Sequence, residues 1–218
     1  MESLGCLPYE QALERQQQAL VARRAGTAPD TLILLEHPPV VTLGRGADEA
    51  HLRLSRQALA ARGIAVRDAS RGGDVTYHGP GQLVGYPVLD LAARGERDAH
   101  RYLRDLEGVL CVALEQLGVT PRRVPGYTGV FVARASGAAS ARERKIASIG
   151  VGLRGWITYH GFALNVDVDL AGFASVVPCG LQDVEMTSIA RELGAATPAD
   201  LGRRARAAVT RAFLERWG

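Results

Sequence analysis

Lysine is almost missing from this sequence of 218 residues: of its 26 basic residues, Lys145 alone is lysine and the rest are arginine. Cysteine is scarce too, with three, Cys6, Cys111 and Cys179. An odd, small number of thiols argues against a disulfide scaffold. No apolar run approaches the roughly 18 residues of a membrane span, so no membrane association is expected. Charge of one sign is never gathered into a block. The formal net charge is +3 and the arginines are scattered, so no nucleic-acid partner is expected. Met1 to Gln18 carries no basic leader followed by an apolar core, so no signal peptide is expected and the setting is expected to be cytoplasmic. The G-x-S-x-G elbow of hydrolases and the G-x-x-x-x-G-K-[ST] phosphate loop are both absent.

What remains is an ordinary globular composition, 47% hydrophobic and 22% charged, with 25 glycines and 10 prolines. One domain over residues 1–218 is expected. Pro8 to Gly26 reads as a polar helix that starts on its proline and stops on its glycine. Thr31 to His37 and Val40 to Leu43 read as strand interrupted by Pro38-Pro39. Ser55 to Arg62 reads as a helix and Ile64 to Arg67 as a strand. Val75 to Leu91 reads as strands around a tight Gly-Pro-Gly loop.

Ala99, Leu103, Leu106, Leu110, Ala113 and Leu117 recur at helical spacing behind Asp98, a plausible N-cap. Cys111 falls in this helix and reads as core. Strands are expected at Gly129 to Ala133, Ile146 to Leu153 and Trp156 to Val168, with a mobile loop over Arg134 to Arg144. Thr197 to Asp200 reads as the cap and first turn of a last helix, whose apolar stripe is Leu201, Ala205, Ala208, Val209, Ala212, Phe213 and Trp217. The fold class is therefore α+β, a single domain with a mixed or mostly antiparallel sheet flanked by helices.

The densest unusual segment is Arg71-Gly72-Gly73-Asp74-Val75-Thr76-Tyr77-His78-Gly79-Pro80-Gly81-Gln82-Leu83. Paired glycines let a backbone approach a ligand closely, and successive amides suit an anion or a carbonyl. A structural hairpin would use the same residues. His37, His78 and His160 lack the short spacing of metal ligands, so no metal is expected. His78 and His160, each in Tyr-His-Gly, read as lining one pocket.

Cys179 stands between Pro178 and Gly180, in a loop or at a strand end, as a nucleophile or a small hydrophobe. Cys6, near a loose terminus, reads as inert. Lys145 is either an accident of arginine-biased usage or a position that needs an amine, since an amine can give up its proton and guanidinium cannot. A thiol beside an ammonium favours thiolate, and the same amine, once neutral, can take a proton from an incoming nucleophile.

Four ordered blocks then carry a resemblance: Arg71-Gly72-Gly73 through Tyr77-His78-Gly79-Pro80-Gly81-Gln82-Leu83, Lys145-Ile146-Ala147-Ser148-Ile149-Gly150, His160-Gly161-Phe162-Ala163-Leu164-Asn165, and Pro178-Cys179-Gly180. Over roughly Leu32 to Ile189 the chain resembles the lipoyl(octanoyl) transferase family. The resemblance implies the fold of lipoate and biotin protein ligases. It also implies transfer of an octanoyl or lipoyl group from acyl carrier protein to a specific lysine of a lipoyl-accepting domain, in protein lipoylation. The acceptors implied are 2-oxoacid dehydrogenases or the glycine cleavage H protein.

By the same resemblance, Cys179 is the acyl-thioester cysteine and Lys145 its acid-base partner. Arg71, Gly72, Gly73, Asp74, Val75, Thr76, Tyr77 and His78 form one substrate-binding stretch; Ser148, Ile149 and Gly150, and Gly161, Phe162 and Ala163, form two more. No cofactor is implied, since the acyl group arrives activated on phosphopantetheine and neither ATP nor a metal is called for. Two alternatives stand beside it: an ATP-dependent lipoate or biotin ligase on the same fold, and a non-catalytic carrier-protein-binding module.

Overall fold

A computed structural model describes residues 1–133, 142–177 and 183–218. In chain order its elements are β1 (Glu2–Cys6), α1 (Tyr9–Arg24), β2 (Thr31–Glu36), β3 (Val40–Leu43), α2 (Arg56–Ala61), β4 (Ala65–Asp68), β5 (Val75–His78) and β6 (Gln82–Val88). After these come α3 (Ala99–Gln116), β7 (Pro121–Arg122), β8 (Val130–Val132), β9 (Glu143–Arg154) and β10 (Ile157–Asn165). A 3-10 turn over Leu170–Ser175, β11 (Val184–Met186), α4 (Ile189–Leu193) and α5 (Leu201–Trp217) complete the chain.

The strands form two sheets. The large one runs β1-β2-β6-β10-β9-β8-β7, with β11 paired to β9; the small one runs β4-β3-β5. β1 with β2, β4 with β3 and β11 with β9 are parallel, and the other pairs are antiparallel.

Alternation along the central strands decides what lies on each face of the large sheet. Phe162 and Leu164 of β10 point to one face, where they join Leu106, Leu110 and Leu114 of α3 and Ala205, Val209 and Phe213 of α5. Ala163, between them, points to the other face, with Val84 and Tyr86 of β6 and Ala12, Ala19 and Leu20 of α1. A third cluster joins β3 and β5 of the small sheet, through Val41, Leu43, Val75 and Tyr77, to Phe131, Phe173 and Met186. The small sheet thus stands over the α1 face of the large one.

Where the periodicity was strong, structure follows it. The Asp98 side chain accepts the Arg101 amide at 3.0 Å and caps α3, and every predicted stripe residue of α5 is buried. Four expectations need correction. The N-terminus is an edge strand, held in register on β2 and by a Glu2–Arg15 ion pair; Glu2 to Cys6 has no apolar alternation to announce it. Val40 to Leu43 does not resume the preceding strand: past Pro38-Pro39 the chain enters the small sheet.

Thr197 is no helix cap. Its hydroxyl donates to the carbonyls of Ala190 and Gly194, and α5 starts at Leu201 behind Asp200, whose carboxylate takes Arg203 and Arg204 instead. Cys111 packs half-buried against the margin of the α3–α5 core, not inside it. Of the Arg134 to Arg144 loop, residues 134–141 lie outside the described residues, and Glu143 and Arg144 belong to β9. No helix among the described residues is long and apolar enough to cross a membrane.

Leu110 is fully buried between α3 and α5. Leu110→Ala is expected to cost about 2–5 kcal/mol, as lost transfer energy plus a cavity, read as a lower midpoint in urea unfolding.

Candidate active site

The space between the α1 face of the large sheet and the glycine-rich segment before β5 is a cavity of about 340 Å³. That is within the usual range for a small-ligand site, roughly 300–1,000 Å³. Of the predicted substrate-binding residues, all but Gly72 and Tyr77 line it. Tyr77 alternates with Thr76 and His78 along β5, so its ring faces away, onto Phe173. The Gly72 amide donates 2.8 Å to the carbonyl of Val151 and ties the segment to β9. Gly150 permits that approach: a Cβ there would lie 2.9 Å from the Gly72 oxygen and 3.0 Å from Arg71 Cδ.

Lys145 also lines the cavity, 2% exposed, with Nζ 5.6 Å from the centre of the Phe131 ring. A β-bulge aims it there. Val130 pairs with Ala147 but Phe131 pairs with Lys145, which leaves Ile146 as the extra residue. Cys179 lies outside the described residues. Beyond that segment, Val184 to Met186 pair with Glu143 to Lys145, Met186 directly opposite Lys145.

A continuous run of buried hydrogen bonds crosses the site. The Arg71 guanidinium donates through Nη2 to the Thr42 carbonyl (2.7 Å) and hydroxyl oxygen (2.8 Å). That hydroxyl lies 3.3 Å from His78 Nε2, and His78 Nδ1 lies 2.7 Å from Gln82 Oε1. Gln82 Nε2 donates to Asn165 Oδ1, and Asn165 Nδ2 to the carbonyl of Thr187, at 2.8 Å each. Thr187 N donates to the carbonyl of Lys145 at 2.9 Å.

The donors and acceptors assign the protons. Gln82 Nε2 is committed to Asn165, so its oxygen faces His78 and His78 Nδ1 must donate. His78 Nε2 then accepts from Thr42, whose hydroxyl oxygen already receives Arg71. His37 follows the same logic: Nδ1 donates to the Leu7 carbonyl (2.8 Å) and Nε2 accepts from the Tyr86 hydroxyl (2.7 Å).

Both histidines are therefore neutral. Burial, reinforced by the charges near it, pushes His78 from 6.5 down to about 3. Burial, with Arg71 and Arg45 nearby, does the same to His160. His160 also adopts φ +54 in the middle of β10, a conformation costing a non-glycine residue about 1–3 kcal/mol. Its amide is held there by Gln16 Oε1 at 2.8 Å.

Sequence reasoning placed His160 at a pocket but missed Tyr9, Gly46, Val84, Tyr86 and Gly126 to Thr128, all on the wall. Tyr9 is 5% exposed, and its hydroxyl has no hydrogen-bond partner among the described residues. It therefore offers an occupant a donor. Tyr9 belongs to a helix that read as merely polar, and no local motif marks it. No group of three His, Cys, Asp or Glu side chains among the described residues is placed to ligate a metal ion.

A mixed sheet, a small sheet standing over it and a cavity between them constitute the lipoate-protein-ligase fold. A bipartite lipoate protein ligase from Thermoplasma acidophilum superposes with a TM-score of 0.69 over 99% of this chain and 82% of its own, at 18% identity. The chain belongs to the family of the lipoyl protein ligase A/B catalytic domain, which matches residues 8–210. Among curated relatives, an octanoyltransferase of Geobacter metallireducens is 50% identical over 91% of this chain and 85% of its own. One of Rubrobacter xylanophilus is 49% identical over 89% and 83%.

The neutral histidines set an acid limit on the fold. Between pH 6.5 and about 3 the unfolded chain takes up protons that His78 and His160 refuse when folded. Their contribution is intact above pH 6.5 and is lost as the pH falls, at up to about 1.4 kcal/mol per pH unit for each. Urea unfolding at a series of pH values should show this loss, and His78→Gln should make it shallower. An unchanged slope in that variant would contradict the assignment.

Proposed function

We propose that this chain transfers an octanoyl group from acyl carrier protein to a specific lysine of a lipoyl-accepting domain, through a thioester on Cys179. The observation that carries this reading is convergence: three of the four motif blocks meet on one cavity whose wall holds the chain's single lysine. The octanoyltransferase name of relatives at about half identity supports it. The acceptors fitting it are the lipoyl domains of 2-oxoacid dehydrogenases or the glycine cleavage H protein, and its expected setting is cytoplasmic.

In the first half-reaction the Cys179 thiolate attacks the carbonyl of the incoming octanoyl thioester. The bond from acyl carbon to the carrier's phosphopantetheine sulfur breaks, and the Lys145 ammonium gives that sulfur its proton. In the second, the neutral amine of the acceptor lysine attacks the acyl-Cys179 carbonyl. Lys145, now neutral, takes the proton released as the amide forms, and Cys179 leaves as thiolate. Protons balance over the cycle, and no nucleotide or metal enters because the acyl group is activated before it arrives. Arg71, anchored on Thr42, holds a fixed charge at the cavity wall, and the neutral histidines add none.

Incubation with octanoyl carrier protein, without ATP, followed by intact-mass measurement and peptide mapping tests the reading. One octanoyl adduct is expected, on Cys179, and absent from Cys179→Ala. An adduct on Cys6 or Cys111, or full turnover by the alanine variant, would exclude the mechanism. A strict need for ATP would point to a ligase, and no adduct at all to a binding module.

Lys145→Arg separates a fixed charge from a proton carrier. Arginine keeps a cation near the thiol but does not give up a proton in proteins. Acyl-enzyme should still form in part. Transfer to the acceptor should slow by about 10²–10⁴-fold, the usual weight of positioned acid-base catalysis, in single-turnover measurements. Transfer within a few-fold of the unmodified rate would show that Lys145 acts only as a charge.

A further inference from the structure

Helix α3 presents an apolar face to the core, yet it carries Glu107 at 0% exposure. A buried carboxylate is costly unless its oxygens are matched. Oε2 of Glu107 receives Arg104 Nη1 at 2.7 Å and lies 3.5 Å from Arg123 Nε. Both arginines are nearly half exposed and reach water without it. Among the described residues, the interior partner is a backbone amide: Gly129 N donates to Oε1 at 3.0 Å.

Gly129 packs against the end of the Lys145 side chain. Its φ is +120, in the region that favours glycine, and a Cβ there would lie 2.5 Å from the Ala147 carbonyl oxygen, 2.8 Å from Lys145 Cε and 3.3 Å from Nζ. Two residues on, the Phe131 ring lies 5.6 Å from the same Nζ. The stem of Lys145 is therefore bounded by the Gly129 backbone and the Phe131 ring, which belong to one short segment. Glu107 anchors that segment to α3.

We propose that Glu107 is a positioning residue: by holding the Gly129 amide it fixes the backbone against Lys145, and so sets where the amine sits in the cavity. The consequence for rate rests on the acyl-transfer reading above; the placement of the amine does not. In this proposal Glu107 moves no proton. It acts through Gly129 on Lys145. Misplacing a catalytic group by about 1 Å costs on the order of 10²-fold in rate, which sets the size of the effect.

The single lysine makes the test clean, because ¹³C-lysine labelling gives the signals of one side chain. Glu107→Leu removes the acceptor at similar volume, Glu107→Gln keeps an oxygen for the Gly129 amide, and Glu107→Asp draws the acceptor back by one methylene without emptying the site. The Lys145 ε-methylene signal, read without substrate, should move in Leu and Asp and stay close to its original position in Gln. Single-turnover transfer from the acyl-enzyme should fall about 10²-fold in Leu with the acceptor KM unchanged, and recover to within a few-fold in Gln.

Placed in a Lys145→Ala background, Glu107→Leu should cost nothing further, since the two act as a unit. An unmoved lysine signal in both Leu and Asp overturns the proposal. So does a full additional loss in the Lys145→Ala background, which would make Glu107 a structural residue alone. Should Leu fail to fold, Asp and Gln decide the matter. An unmodified protein inert toward octanoyl carrier protein would sink the acyl-transfer reading and leave the lysine signal to judge Glu107.

Discussion

A guanidinium that is nearly buried has to be given acceptors, and most of the site follows from how Arg71 gets them. Thr42 supplies its carbonyl and its hydroxyl oxygen. With its oxygen so engaged, the hydroxyl turns its proton to His78, His78 turns its own to Gln82, and Gln82 engages Asn165. Asn165 then fixes Thr187, whose amide lies on the carbonyl of Lys145. One arginine on the glycine-rich segment is thereby linked through β3, β5, β6 and β10 to the strand that carries the amine. Apolar packing alone would hold these elements at about the right distance. A fully matched polar chain in a low-dielectric interior holds them in one arrangement.

That arrangement explains why strain is tolerated where it is. His160 sits opposite Val151 with a positive φ, so its ring leaves the regular pleat and reaches the cavity wall near Ser70, 3.1 Å from Nε2. Gln16, buried on α1, receives its amide. Helix α1 thus does more than cover the sheet. Its buried face, Tyr9, Ala12, Gln16, Ala19 and Leu20, mixes apolar contacts with two polar groups that serve the site.

This mixture bears on what could be read from the residues in advance. Helices α3 and α5 were legible because their apolar spacing is regular, and β2, β6 and β10 because β-branched and apolar residues run between glycines and prolines. The three motif blocks within the described residues stood out as candidate site residues, and they do share one cavity. Helix α1 gave no amphipathic signal, because Gln16 is buried where a leucine would have announced the face.

The small sheet was also hidden, since pairing across Pro38-Pro39 depends on partners in β4 and β5 that no local pattern names. Glu107 carried no local signal. The role proposed for it depends on Gly129, 22 positions away, and on the bulge that aims Lys145. Misses of this kind are all non-local: each is a side chain whose partner is set by topology.

The last step concerns which protons can move. Within the cavity, burial pushes Tyr9 up to about 12 and raises Tyr86 as well, while His78 and His160 are held near 3. None of these four changes charge between pH 5 and 9. Desolvation has taken these four groups of the cavity wall out of that range. Arginine does not give up a proton in proteins and cannot contribute. Under the proposed mechanism, acid-base chemistry falls to the Lys145 amine and the Cys179 thiol. A sequence that writes every other basic residue as arginine is consistent with that division: where charge suffices it uses a group that does not titrate, and its single lysine stands on the wall of the cavity.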